Sequence, residues 1–215
     1  MDETRVGHYS PAARDHINAG IRLQNPGRHN PAVEVSMLAL SRRLTIAALI
    51  AGGAALVPLA SAQADDPTLL GEFKAWAAYA NGTDEGKVCY ALSKPTSTLP
   101  AKTKRDPVFF LINDWPKRGA KGEPEIVPGY QYKDNSKVTV QVGSDKFSFF
   151  TKNEDGAGGA WVEQQPDEVR LLDAMQSGQQ IIVTGVSKRG TMTHDTYSLA
   201  GLSEALEKIH TSCSM

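Results

Sequence analysis

His194 and Asp195 form the most chemically suggestive pair in this chain, because Thr191, Thr193, Thr196 and Ser198 surround them. An imidazole with a hydroxyl and a carboxylate is the apparatus of nucleophilic hydrolysis, provided that the three converge and the base lies beside the nucleophile. Extended backbone sends successive side chains to opposite faces. His194, Thr196 and Ser198 then share one face, and Asp195, Tyr197 and Leu199 the other, so the adjacent pair cannot act together. No Gly-x-Ser-x-Gly elbow is present. No catalytic residue is therefore assigned. Asp195 and Tyr197 are expected to make hydrogen bonds that fix the last strand against the terminal helix. A hydrolase using the His194 region is the alternative.

Metal chemistry needs three or four convergent ligands. Of the five histidines only His194 and His210 lie beyond residue 36, and the carboxylates follow no ligand spacing, so no metal is assigned. Gly156, Gly158 and Gly159 do not lead a strand into a helix and read as turn glycines. Most aromatics, Trp76 and Trp161 among them, read as core. Trp115 differs: it precedes Pro116, Lys117 and Arg118 in a charged loop. An exposed indole flanked by two cations would suit contact with a partner protein, peptidoglycan or another glycan.

Compartment is written in residues 37–64. Arg42 and Arg43 precede a nearly uninterrupted apolar run over 44–59, and Ala60-Ser61-Ala62 then puts small residues at −3 and −1 of a signal peptidase cut between Ala62 and Gln63. A cut after Ala64 fits almost as well. A spanning helix needs about 20 apolar residues. This run is shorter and is interrupted by Gly52-Gly53 and Pro58, which favours cleavage over an uncleaved anchor. No stable membrane span is expected in the mature form. Residues 1–36 are polar and without apolar period, and read as an over-extended start or a disordered arm. Residues 63–215 are then a single exported domain, periplasmic or secreted. Cys89 and Cys213 both survive export and most simply pair with each other, the alternative being two buried free thiols.

The whole chain carries 23 basic and 24 acidic residues; removing residues 1–62 takes away six Arg and four acids, leaving a net charge of −3. That balance leaves no electrostatic footprint for nucleic acid.

The elements that must position these residues are mostly strands. Residues 72–80 and 87–92 read as a hairpin, 93–107 as a loop, and 108–112 as a core strand buried on both faces. Residues 116–128, rich in Pro and Gly, read as another loop. Val138, Val140 and Val142 alternate cleanly in a strand that turns at 143–146 into 147–150, and a further short strand covers 160–162. Pro166, Asp167 and Glu168 then open a helix of about three turns, with Gly178 at its C′ position. Strands at 179–187 and 191–199 follow. Leu202, Ala205, Leu206 and Ile209 mark a last amphipathic helix ahead of Cys213. The fold class is mainly β, an antiparallel sandwich or barrel-like domain with one inserted and one C-terminal helix.

Ala75-Trp76, KVCYAL at 87–92, RDPVFFLI at 105–112, VPGYQYKDNSKVTVQVGSDKFSFF at 127–150, and the closing stretch from LLDAMQSGQQ to Cys213 together resemble the invasion associated locus B family of exported bacterial proteins. Within that close, Thr193, Asp195, Thr196, Tyr197, Ser198 and Leu199 carry the most specific pattern. The resemblance implies an envelope protein, mostly periplasmic and β-rich, with no agreed activity, cofactor or catalytic residue. Export, one staple, a well-patterned core and no coherent catalytic set point to a binding or interaction module whose partner, an envelope or host-surface protein or a glycan, is unknown; a structural envelope-stress protein is another alternative. Some members carry an additional cysteine pair, whereas this chain reads Ala-Ala-Tyr after Trp76. The family name records one member's link to host cells and assigns no such role here.

Overall fold

The computed structural model describes residues 66–82 and 86–215. The leader at 37–62, its cut between Ala62 and Gln63, and residues 1–36 lie outside the described residues.

The fold is mainly antiparallel β with two helices. Its strands are β1 (Thr68–Phe73), β2 (Trp76–Asn81), β3 (Val88–Ser93), β4 (Ser97–Leu99), β5 (Phe109–Trp115), β6 (Ala120–Val127), β7 (Lys137–Val142), β8 (Asp145–Glu154), β9 (Ala157–Val162), β10 (Gln180–Val186) and β11 (Met192–Ser198). Helix α1 (Gln165–Ser177) separates β9 from β10, and α2 (Leu202–Cys213) ends the chain. The strands form one sheet in the order β1-β2-β3-β5-β6-β9-β8-β7-β10-β11-β4.

So long a sheet twists and can bury a core by closing on itself. The inward face of β2, β3 and β5 shares one apolar cluster with that of β7, β10 and β11. Phe110 of β5 meets Tyr197 of β11 edge to face, ring centres 5.7 Å apart. Trp76 of β2 donates its indole N–H to the Ser198 carbonyl at 3.0 Å. Strands remote in the ladder thus touch across the interior, as a sandwich requires. The Val138, Val140 and Val142 alternation is buried as its period demands, and β5 is buried along its whole length. On the other face of β3 and β5, Val88, Tyr90, Leu92, Phe109, Leu111 and Trp115 form a second cluster.

Helix α2 packs on β1, β2 and β3 through Leu202, Ala205, Leu206 and Ile209. Cys213 bonds to Cys89 of β3 with their Cα atoms 5.9 Å apart, a staple spanning 124 residues of sequence. His210 Nδ1 lies 2.6 Å from Asp114 Oδ2, and the Lys87 ammonium donates to the Ser212 carbonyl at 2.6 Å. No helix among the described residues is long and apolar enough to cross a membrane.

The structure departs from the sequence pattern at four places. Residues 72–80 form parts of two strands, because Lys74 adopts a left-handed φ of 54° and turns β1 back along β2. Pro- and Gly-rich 116–128 contains β6, in which Pro124 lies beyond the positions where β9 pairs, so no bond to β9 is lost by its missing N–H. The 93–107 segment contributes β4, a three-residue edge on β11. Gly178 does follow α1, but in extended backbone (φ −84°) rather than a left-handed cap. Its role is close approach: a Cβ there would stand 2.7 Å from Val142 Cγ1.

Candidate functional site

Strand β11 alternates as its sequence predicts. Thr193, Asp195 and Tyr197 are buried on the inner side, and His194, Thr196 and Ser198 are half-exposed on the outer one. A buried carboxylate must be neutralised, protonated or paired. Asp195 is paired: Arg105 grips it with both terminal guanidinium nitrogens, at 2.5 and 3.0 Å, and the two side chains are only 6% and 3% exposed. The Asp195 bond raises the Arg105 pKa above its ordinary value, against the opposing effect of burial.

Neighbouring segments hold this pair from two sides. The guanidinium lies over the Tyr130 ring, 5.6 Å from its centre, and the Tyr130 hydroxyl shares a 2.6 Å hydrogen bond with Thr193. Burial pushes the Tyr130 pKa up. The segment through Tyr130 is itself fixed. Asp106 N–H donates to the Gly129 carbonyl at 3.1 Å, and Lys188 N–H donates to the Gln131 carbonyl at 2.7 Å. Gly129 has a φ of 71°, and any Cβ there would collide with the Asp106 carbonyl. The turn joining β10 to β11 is closed by Gly190 N–H to the Ser187 carbonyl and by Thr191 N–H to the Ser187 hydroxyl.

Above this floor runs an open groove of about 1160 Å³. Its walls are the β3–β4 connection, the segment 103–109 and the β10–β11 turn. Lys94, Lys104, Lys188 and Arg189 line it without an ion-pair partner among the described residues, and Asp106 is its one unpaired carboxylate. A chain of negative net charge thus concentrates uncompensated cations in a single depression.

The other sequence-derived sites resolve differently. His194 accepts or donates a 3.0 Å bond with Thr184 directly across the β10–β11 pair, on the face opposite the Asp195 carboxylate. The two do not converge. Asp195 was expected to bind toward the terminal helix; it binds Arg105 instead. Tyr197 was expected to do the same, yet its hydroxyl has no hydrogen-bond partner among the described residues, the ring being fixed by packing against Phe110. Thr196 and Ser198 act through their carbonyls, which receive Thr96 N–H and the Trp76 indole, while Leu199 N–H bonds to the Gln179 carbonyl.

Trp115 requires a correction. It is 7% exposed and sits in the second apolar cluster. The one-turn 3-10 helix at Pro116–Arg118 folds the Arg118 guanidinium over the indole, 5.2 Å from the ring centre, and Arg118 pairs with Glu123 at 2.9 Å. Lys117 alone of the three is left exposed without a partner. Among the described residues no group of three or more His, Cys, Asp or Glu is placed to hold a metal ion.

Arg105 escaped the sequence reading because it lies in a Pro- and Lys-rich segment with no period. A signal did exist. An inward-facing Asp195 demands a cation, and Arg105-Asp106-Pro107 directly precedes the core strand.

A family model described as invasion associated locus B (IalB) protein matches residues 76–210. A crystal structure of invasion associated protein b from Bartonella henselae is similar at 14% identity, covering 69% of this chain and 99% of that one, with a TM-score of 0.47. Among curated proteins no relative matches.

Proposed function

The chain belongs to the invasion associated locus B family, and from that premise we propose that it is an exported envelope protein that works by binding, through the groove above Arg105 and Asp195. The leader, cut between Ala62 and Gln63, delivers it to the periplasm, where Cys89 and Cys213 meet an oxidising environment. One observation carries the binding reading: four unpartnered cations converge on a rigid, hydrogen-bonded floor in a chain whose overall charge is negative. Fixed walls reduce the ordering cost of association. His194 and Asp195 face opposite sides of β11 and do not converge, so the one catalytic pair that the sequence suggested is not assembled, which favours binding over hydrolysis.

Amine footprinting of the oxidised mature chain tests this. With envelope extract present, Lys94, Lys104 and Lys188 should become protected from an amine-reactive label, while the exposed Lys146 near the start of β8 stays reactive. Equal labelling of all four with and without extract would defeat the reading. Intact mass of the same chain from cells should show Gln63 as first residue and no free thiol.

A further inference from the structure

The groove's lining restricts the chemistry of what it holds. The geometry points to an acidic glycan, a carboxylated or sulfated sugar chain, as its ligand. This rests on the binding reading of the same groove and adds the class of partner.

Charge supplies the first reason. Arg105 is consumed by Asp195, but Lys94, Lys104, Lys188 and Arg189 outnumber the single unpaired carboxylate, Asp106, and come from three separate chain segments. A ligand spanning them must carry anionic groups at intervals rather than at one point. Size agrees: about 1160 Å³ exceeds the roughly 300–1000 Å³ typical of small-molecule pockets and is open along its length.

Hydroxyls supply the second reason. Thr98 and Thr191 line the walls, and their hydroxyls have no hydrogen-bond partner among the described residues. Cations interspersed with free hydroxyl groups match a polymer that alternates anionic and hydroxyl groups. Pro95 and Pro107 offer flat apolar surface without a deep anchor pocket.

Rival polyanions fit less well. Tight protein partners anchor through aromatic or aliphatic side chains inserted in pockets, and the apolar Phe109 beside this groove is buried in the second cluster. Single-stranded nucleic acid needs aromatic faces free for base stacking. Tyr130, the remaining aromatic of the lining, has Arg105 over its ring and its hydroxyl engaged by Thr193.

The test uses the oxidised mature protein and four probes in calorimetric titration: a heparin-type sulfated oligosaccharide, an oligogalacturonate, neutral dextran, and poly-glutamate matched in charge. At least one acidic glycan should bind, more weakly as salt rises, and dextran should not. Replacing Lys188→Gln and Arg189→Gln together should lower that affinity about tenfold or more, whereas Lys146→Gln should leave it unchanged. Thr191→Val should weaken the glycan without weakening poly-glutamate. The assignment is overturned if neither acidic glycan binds, if poly-glutamate binds as tightly, or if the double variant binds as well as the parent. Footprint protection by envelope extract combined with failure of both glycans would reject the glycan and keep the binding role; absence of both would reject the two together.

Discussion

A carboxylate placed on the inner side of a strand is tolerable only with a partner of opposite charge, and Asp195 has one in Arg105. Removing one member of such a pair strands the other in a poorly solvated site, whereas replacing both with apolar groups of similar volume is far milder. Arg105→Ala should therefore lower unfolding stability by about 3–5 kcal/mol, and the double variant Arg105→Met, Asp195→Leu by clearly less. Urea unfolding of the oxidised chain measures both. Equal stability of Arg105→Ala and the parent would mean that Asp195 finds another cation or water. The same pair fixes the groove floor, so one residue couples stability to the binding surface. Tyr197 illustrates the opposite case at this scale: its ring is held by packing while its hydroxyl has no hydrogen-bond partner among the described residues.

Among the elements, α1 carries a pH dependence through its first turn. Burial, then the neighbouring Glu123, pushes the Glu168 carboxyl up to about 7, with Arg118 pulling the other way. Burial also raises Glu123, against Arg118. A carboxyl raised in the folded state binds its proton more tightly there than in the unfolded chain. Stability from this group is thus greatest below its ordinary value of 4.5 and declines as pH rises toward about 7. Removing the charge with Glu168→Gln should abolish that decline. Thermal unfolding followed at pH 5 and at pH 7.5 should show the parent losing ground to the variant at the higher pH; parallel shifts in both proteins would contradict the assignment. The contact at issue is α1 against β6, where Gly122 meets Leu172 so closely that a Cβ would intrude.

At the scale of the molecule, a single open sheet is closed by three devices: inward apolar packing, the Trp76 bond to Ser198, and the Cys89–Cys213 staple. Cross-linking so distant a pair removes conformational freedom chiefly from the unfolded chain, worth about 4–5 kcal/mol for a loop of this length in the chain-entropy account. Cys89→Ser with Cys213→Ser should lower stability by about 2–5 kcal/mol. Because α2 keeps its apolar stripe, its Lys87 bond and its His210–Asp114 contact, the variant should still fold. Hydrogen exchange should then show α2 losing protection before β5. An unfolding midpoint indifferent to reductant would show that the staple contributes nothing.

Periodicity is local, and what depends on it was legible from residues alone. The β7 valines, the buried run of β5, the Pro166 helix start, the apolar stripe of α2 and the two faces of β11 all follow from neighbours along the chain; the cysteine pairing follows from there being only two cysteines. Turns built from non-glycine residues, such as Lys74, and a strand hidden among prolines, such as β6, carry no such period. Placement across the sheet depends on which strands become neighbours, and only the closed structure settles it. That closure turns Asp195 toward Arg105 from a segment that reads as featureless loop and gathers Lys94, Lys104, Lys188 and Arg189 around one groove, while the outer cluster of β3 and β5 takes in Trp115 beneath Arg118. Such convergence joins residues about 90 positions apart, beyond the reach of any pattern of adjacent side chains.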